Sequence, residues 1–313
     1  MPSSLLPQDA QSFLHELLHR YRSLKDGAPV DYIPQLAEVN PDRFAIAVAT
    51  VEGEVLAVGD TKHEFTLQSV SKPFTYGLAL TLAGREAVRR KIDVEPTGDP
   101  FNSLVELEDG NHRPYNPMVN SGAIAATGIV HEHLGEHTRE WLQCAFAAYA
   151  GRALRVDERL IHNELDTGHR NRAIAHLLKH FGILAGPVDE VLNLYTAQCA
   201  TMVNTVDLAW MGATLAHGGV HPRTGERAIE TALVHDLVTL MFTCGMYDSA
   251  GRWAFEVGLP AKSGVGGGLL AVVPGRMGIA AYSPRLARGG HSVRGMKVMR
   301  DLSLGWGLSV IAW

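Results

Sequence analysis

Hydrophobic and polar positions change texture twice along the chain. Residues 12–24 place Phe13, Leu17, Tyr21 and Leu24 at helical spacing before Gly27. The run Phe44-Ala-Ile-Ala-Val-Ala-Thr50, the pair Glu52-Gly53 and the run Glu54-Val-Leu-Ala-Val58 predict two strands and a tight turn. Residues 65–82 read as a polar entry into an apolar helix. From about 85 to 202 nearly every segment has helical length and spacing, notably 123–134, 139–149, 171–181 and 188–199. Helices are also expected at 206–217 and 231–246. Strand character then returns in short apolar runs cut by Gly and Pro, at 258–262, 268–273 and 277–282, before a closing helix at 296–304. Strands far apart in sequence can share one sheet if the helical stretch is an insertion. The expectation is therefore an α+β fold. An antiparallel sheet flanked by helices is formed by residues 1–84 and 203–313, an all-helical lobe is inserted at 85–202, and one catalytic cleft lies where they meet.

Composition narrows the class. The chain has 313 residues, 46% hydrophobic and 19% charged, enough to bury a sizeable core. A net charge of −5 without runs of one sign excludes nucleic acid as an expected partner. No stretch approaches about 18 consecutive apolar residues, so no membrane association is expected. Residues 1–11 have neither a basic start nor an apolar core, which points to the cytoplasm. The three cysteines, Cys144, Cys199 and Cys244, are far apart among apolar neighbours and read as free thiols. No internal repeat is present.

Two short motifs suggest chemistry. Ser69-Val70-Ser71-Lys72 is an S-x-x-K at a helix start. Residues three apart share a helix face, so Lys72 can approach Ser69, and a lysine made neutral by burial can accept the hydroxyl proton. Alone the motif is weak, because Ser69 can equally be a cap and Lys72 a solvated residue. Lys262-Ser263-Gly264 matches the K-[S/T]-G element that accompanies such nucleophiles on a neighbouring strand. The backbone N–H after that glycine can help hold an oxyanion. The two motifs in this order favour a serine acyl-transfer site. A third element, S-x-N or Y-x-N, is incomplete. Met118-Val119-Asn120 keeps the amide but lacks the hydroxyl, and Tyr247 is the candidate to supply one.

Longer blocks carry a more specific likeness. They include Asp31-Tyr-Ile-Pro-Gln-Leu-Ala37, Gly59-Asp-Thr-Lys62, Leu67-Gln-Ser69, Asn116-Pro-Met-Val-Asn-Ser-Gly-Ala123, Gly168-His-Arg-Asn171, Cys244-Gly-Met-Tyr-Asp248 and Gly258-Leu-Pro-Ala-Lys-Ser-Gly-Val265. In this order they resemble the serine-dependent glutaminase family in its compact bacterial form. The resemblance implies a β-lactamase/transpeptidase-like fold and hydrolysis of L-glutamine to L-glutamate and ammonia through an ester on Ser69. It implies Ser69 as nucleophile, Lys72 as base and Tyr247 as proton carrier. It further implies that Tyr32, Gln68, Ser69, Asn120, Glu164, Asn171, Tyr195, Tyr247 and Val265 bind the substrate, Val265 through its N–H. It implies no cofactor and no metal, and a homo-oligomer, dimer or tetramer. The spelling around Leu165, Asp166 and His169 departs from some relatives, and leaves open whether Asp166 shares the role of Glu164.

The substrate suits that set. Glu164 can pair with an ammonium, Asn120, Asn171 and Tyr195 can donate to a carboxylate, and Ser69 can attack the amide carbon. Penicillin-recognising hydrolases share the two short motifs but act outside the cytoplasm. A non-catalytic binding module that kept the pocket is the other alternative. His131-Glu-His-Leu-Gly-Glu-His137 looks metal-like, but Gly135 stands where H-E-x-x-H needs its second histidine.

Overall fold

The computed structural model describes residues 5–108 and 112–311. The leader reading at residues 1–11 therefore lies partly outside the described residues. Among these, five strands form one antiparallel sheet in the order β2-β1-β7-β6-β5. They are β1 (Ala45–Thr50), β2 (Val55–Gly59), β5 (Ala261–Ser263), β6 (Gly268–Val273) and β7 (Met277–Tyr282). Register is fixed by Ala47 opposite Ala57 on one side and Ala280 on the other, and by Lys262 opposite Leu270. Two further strands, β3 (Phe65–Thr66) and β4 (Met202–Val203), pair with each other beside the sheet.

Strands β1, β6 and β7 are buried at every position, because both faces of the sheet are covered. Their side chains divide by period two. Ile46, Val48, Leu269, Ala271, Val273, Ile279 and Ala281 pack with the helices Ala10–Arg22 and Val293–Trp306 on one face. Ala47, Ala49, Leu270, Val272 and Ala280 face the other way, into a core shared with the large helical region. Small residues there let the helix Thr205–Ala216 lie close. A Cβ on Gly278 would stand 2.3 Å from the Ala209 carbonyl oxygen, and one on Gly212 would stand 2.7 Å from Leu270 Cδ1.

The helices of the middle region bring Ile124, Phe146, Leu178 and Val191 into that same core, together with Phe74 from Lys72–Ala83. The last of these helices is buried over most of its length. Pro73 sits in its first turn, where the missing N–H costs nothing, and Gly84 ends it at φ 77°. Elsewhere the sequence expectations needed adjustment. Residues 65–82 split into β3, a 3₁₀ turn at Gln68–Ser71 and the helix, because Gln68 adopts φ 49°. The helix expected over 231–246 stops at Thr243, and a 3₁₀ turn Tyr247–Ser249 leads into Ala250–Glu256. The strand expected at 258–262 is formed at Ala261–Ser263. Helices Arg85–Lys91 and Glu158–Thr167 fall in the stretch expected to be helical, and Ala250–Glu256 was not anticipated. No helix among the described residues is long and apolar enough to cross a membrane.

Candidate active site

Ser69 lies in the 3₁₀ turn, with Gln68 before it in the left-handed region that non-glycine residues rarely adopt. The turn is pressed against the start of the Gly-rich segment after β5. A Cβ on Gly264 would meet the Leu67 carbonyl oxygen at 2.7 Å and Val70 Cγ2 at 3.1 Å, and one on Gly266 would meet the Thr66 carbonyl oxygen at 2.8 Å. These glycines let the Lys262–Val265 stretch run alongside the serine. Among the described residues, the backbone N–H groups of Ser69 and Val265 find no backbone acceptor. Two unspent donors beside a hydroxyl are the geometry an oxyanion needs.

Lys72 opens the following helix and is buried. Its Nζ donates to the Met118 carbonyl at 3.0 Å and to Asn120 Oδ1 at 2.7 Å. Both acceptors are set by the local sequence. Asn116 Oδ1 accepts from the N–H groups of Met118 (3.0 Å) and Val119 (3.3 Å), a side-chain turn that launches the helix Asn120–Leu134. Gly122 is required beneath it, since a Cβ would stand 2.0 Å from the Asn116 carbonyl oxygen. The bond that Lys72 donates fixes the orientation of the Asn120 amide, whose Nδ2 then donates to Asn171 Oδ1 at 2.9 Å. The Tyr195 hydroxyl donates to Asn120 Oδ1 at 3.4 Å.

Tyr247 is the second left-handed residue of the site, at φ 54°. Gly245 makes that turn possible, because a Cβ there would stand 1.9 Å from the Ala261 carbonyl oxygen on β5. The Tyr247 ring has Lys262 Nζ 3.9 Å from its centroid and Lys72 Nζ at 5.5 Å. Burial raises the pKa of its hydroxyl, and the neighbouring Ser69 side chain opposes that rise. The hydroxyl completes no hydrogen bond of ordinary geometry among the described residues. Lys262 is buried and donates to the Ser263 carbonyl at 2.8 Å. Burial, and next the charge of Lys72, push its pKa well below the ordinary value.

Ser69 opens onto a cavity of about 260 Å³, while Lys72, Tyr247 and Lys262 stand behind its wall and do not line it. Tyr32, Gln68, Ser69 and Val265 line it from the sheet side, and Asn120, Glu164, Asn171 and Tyr195 from the helical side. Glu164 comes from the helix Glu158–Thr167, whose N-terminus is capped by the Asp157 side chain. Burial raises the pKa of its carboxyl to about 7, against a lowering by Gln68, whose Nε2 donates to Oε1 at 2.8 Å. Tyr32 stands at the mouth, 55% exposed. Asp166 does not share the position of Glu164. It is exposed and pairs with His162 at 3.4 Å outside the cavity, two residues and about 200° round the helix from Glu164.

Sequence reasoning assigned no role to Phe101, Asn102, Arg170 or Cys199, which also line the cavity. Phe101 packs on Tyr247 with ring centroids 5.4 Å apart, and its carbonyl accepts from the Asn120 N–H at 2.8 Å. Arg170 donates through Nε to the Asn102 carbonyl at 2.5 Å and is the one basic side chain lining the cavity among the described residues. The Arg170 neighbour of Asn171 in Gly168-His-Arg-Asn171 was the available signal; Phe101 and Asn102 lie in a loop without one.

Comparisons with known proteins place the chain in a family. The family model "Glutaminase" matches residues 27–311. A glutaminase of Trichormus variabilis is 49% identical over 96% of this chain and 90% of its own length. One from Corynebacterium glutamicum is 42% identical over 98% of this chain and 75% of its own length. A solved structure described as a probable glutaminase superposes with a TM-score of 0.94 at 41% identity, covering 97% of this chain and 98% of that one. Another, described as Mglu in its glutamate form, reaches 0.92 at 40% identity and covers 98% and 71%. A match of this length, in sequence and in fold, means that the chain belongs to the glutaminase family.

Proposed function

We propose that this chain hydrolyses the side-chain amide of L-glutamine to L-glutamate and ammonia through a γ-glutamyl ester on Ser69. The observation that carries the reading is the meeting, at one cavity, of the Ser69 hydroxyl, the unspent Val265 N–H and the Glu164 carboxylate. Glu164 pairs with the substrate ammonium, which restores the charge that burial discourages. Asn171 and Tyr195, with Arg170 at the rim, serve the carboxylate; Gln68 holds Glu164 and Tyr32 closes the wall. Asn120 orients Lys72 and Asn171 together.

In the first half, Lys72 in its neutral form takes the proton of Ser69 as Oγ attacks the amide carbon. The Ser69 and Val265 N–H groups hold the oxyanion. The carbon–nitrogen bond then breaks as the nitrogen receives a proton from Lys72, directly or through Tyr247, and ammonia leaves. Water adds to the ester, gives its proton back through the same groups, and glutamate departs with Ser69 restored. The cavity takes residues from both sides of the boundaries at 84 and 203, which supports a single catalytic unit with an inserted helical lobe at 85–202. A homo-oligomer, dimer or tetramer, in the cytoplasm belongs to the same proposal and rests on the family resemblance.

The test is ammonia release from glutamine by Ser69→Ala, with acid-quenched wild-type enzyme examined by mass spectrometry for a glutamyl adduct on the Ser69 peptide. Loss of at least about 10³-fold in kcat is expected. Turnover near the wild-type rate would remove Ser69 as the nucleophile.

A further inference from the structure

Behind the Lys262–Ser263–Gly264 strand, on the side away from Ser69, lies a second cavity of about 310 Å³. Its apolar wall is Trp253, Val257, Val293 and Met296. Three cations line it, Arg252, Lys297 and Arg300, against one carboxylate, Glu256. Arg252 pairs with Glu256 at 2.7 Å, and Arg300 with Asp301 at 3.1 Å. Lys297 has no acidic partner among the described residues, so the wall carries surplus positive charge.

At its inner end stands His291, only 4% exposed. Nδ1 shares a hydrogen bond with Ser263 Oγ at 2.8 Å. Nε2 is buried without a hydrogen-bond partner, and faces Gly289 of the cavity rim: a Cβ built there would stand 3.7 Å from it. Burial, then the charge of Lys262, lowers the His291 pKa to about 4, while Asp248 opposes. The neutral ring carries its proton on one nitrogen, and the bond to Ser263 decides which.

We infer that this cavity binds a small organic carboxylate, its apolar body against Trp253 and Met296 and its charge shared by Lys297 and Arg300. A volume at the lower end of ligand pockets, ~300 Å³, exceeds the needs of one inorganic oxyanion, and half of the wall is apolar. The bound group would touch His291, which reaches Ser263 two residues before Val265. The inference stands independently of the glutamine chemistry.

Benzoate is the probe, titrated calorimetrically into the full chain with L-glutamate present, so that a carboxylate-binding active site is already occupied. One saturable site per chain with Kd below about 1 mM is expected. Lys297→Gln should weaken it at least about fivefold, and Glu256→Gln, which removes the like charge, should tighten it. Both side chains are partly or wholly solvated, so the fold should survive, as thermal melts will show. No saturable heat up to about 10 mM benzoate, an unchanged Kd in Lys297→Gln, or inorganic phosphate binding as tightly as benzoate would each overturn the assignment.

Discussion

Glu164→Gln should make the protein more stable and nearly inactive, and the size of both effects follows from the site. The Glu164 carboxyl has its pKa raised from 4.5 to about 7, first by burial, with the Gln68 hydrogen bond working against it. A raised acid pKa means that the fold disfavours the ionised form. The cost is absent below 4.5, grows as pH rises from there to about 7, and is fully present above 7. That interval corresponds to about 3 kcal/mol, an upper figure because the side chain is only partly shielded from solvent. Glutamine at the same position removes the charge and keeps an oxygen for Gln68 Nε2. For a chain of this length, ~0.7 kcal/mol per kelvin of unfolding entropy turns the gain into about 4 °C in Tm. Scanning fluorimetry of both proteins should show this gain at pH 8 and little of it at pH 5. Ammonia release should fall about 10²–10³-fold in kcat/KM, since the substrate ammonium loses a buried partner. A variant no more stable than wild type at pH 8, or a gain that does not vary with pH, would refute the reasoning. So would near-normal kcat/KM.

Other outcomes follow from named contacts. Gly264→Ala should cut kcat by about 10²-fold, because its methyl group falls 2.7 Å from the Leu67 carbonyl oxygen and drives the Val265 N–H away from Ser69; an activity close to wild type would show that this spacing is unimportant. Tyr247→Phe keeps the ring between the lysines and removes the hydroxyl beside Ser69, so kcat should drop about 10²-fold with KM little changed, whereas a change confined to KM would assign Tyr247 to binding alone. Arg294→Met should destabilise by about 3 kcal/mol in urea melts and leave KM unaltered. Its buried guanidinium, which does not line the active-site cavity, holds the Leu24 carbonyl at 2.7 Å and the Arg22 carbonyl at 3.1 Å, and its removal leaves these part-buried acceptors without that donor.

The sequence reached far into the fold where the signal was local. Unbroken apolar runs at β1, β6 and β7 and helical spacing at 188–199 are local patterns, and each is readable over one element. Why glycine stands at 122 and 264 came only with the structure, where a Cβ would strike the Asn116 and Leu67 carbonyl oxygens. The residues proposed for catalysis and binding were also visible as motif positions, and eight of them line one cavity.

Other features were decided by tertiary structure alone. Two-residue strands such as β3 and β4 have no period to detect; each exists because the other is there to pair with. Glu164 and Asp166 are equivalent on paper, and only the rotation of their helix against Gln68 buries one and leaves the other in solvent. The left-handed Gln68 and Tyr247 are forced by the packing of Gly264 and Gly245 on neighbouring backbone, contrary to their own preference. The meeting of His291 with Ser263 joins positions 28 apart in the chain through the packing of a loop on a strand. Propensity and periodicity act over a few residues, whereas burial, pKa and hydrogen-bond partnership depend on which distant segment arrives, and that is settled only when the chain is folded.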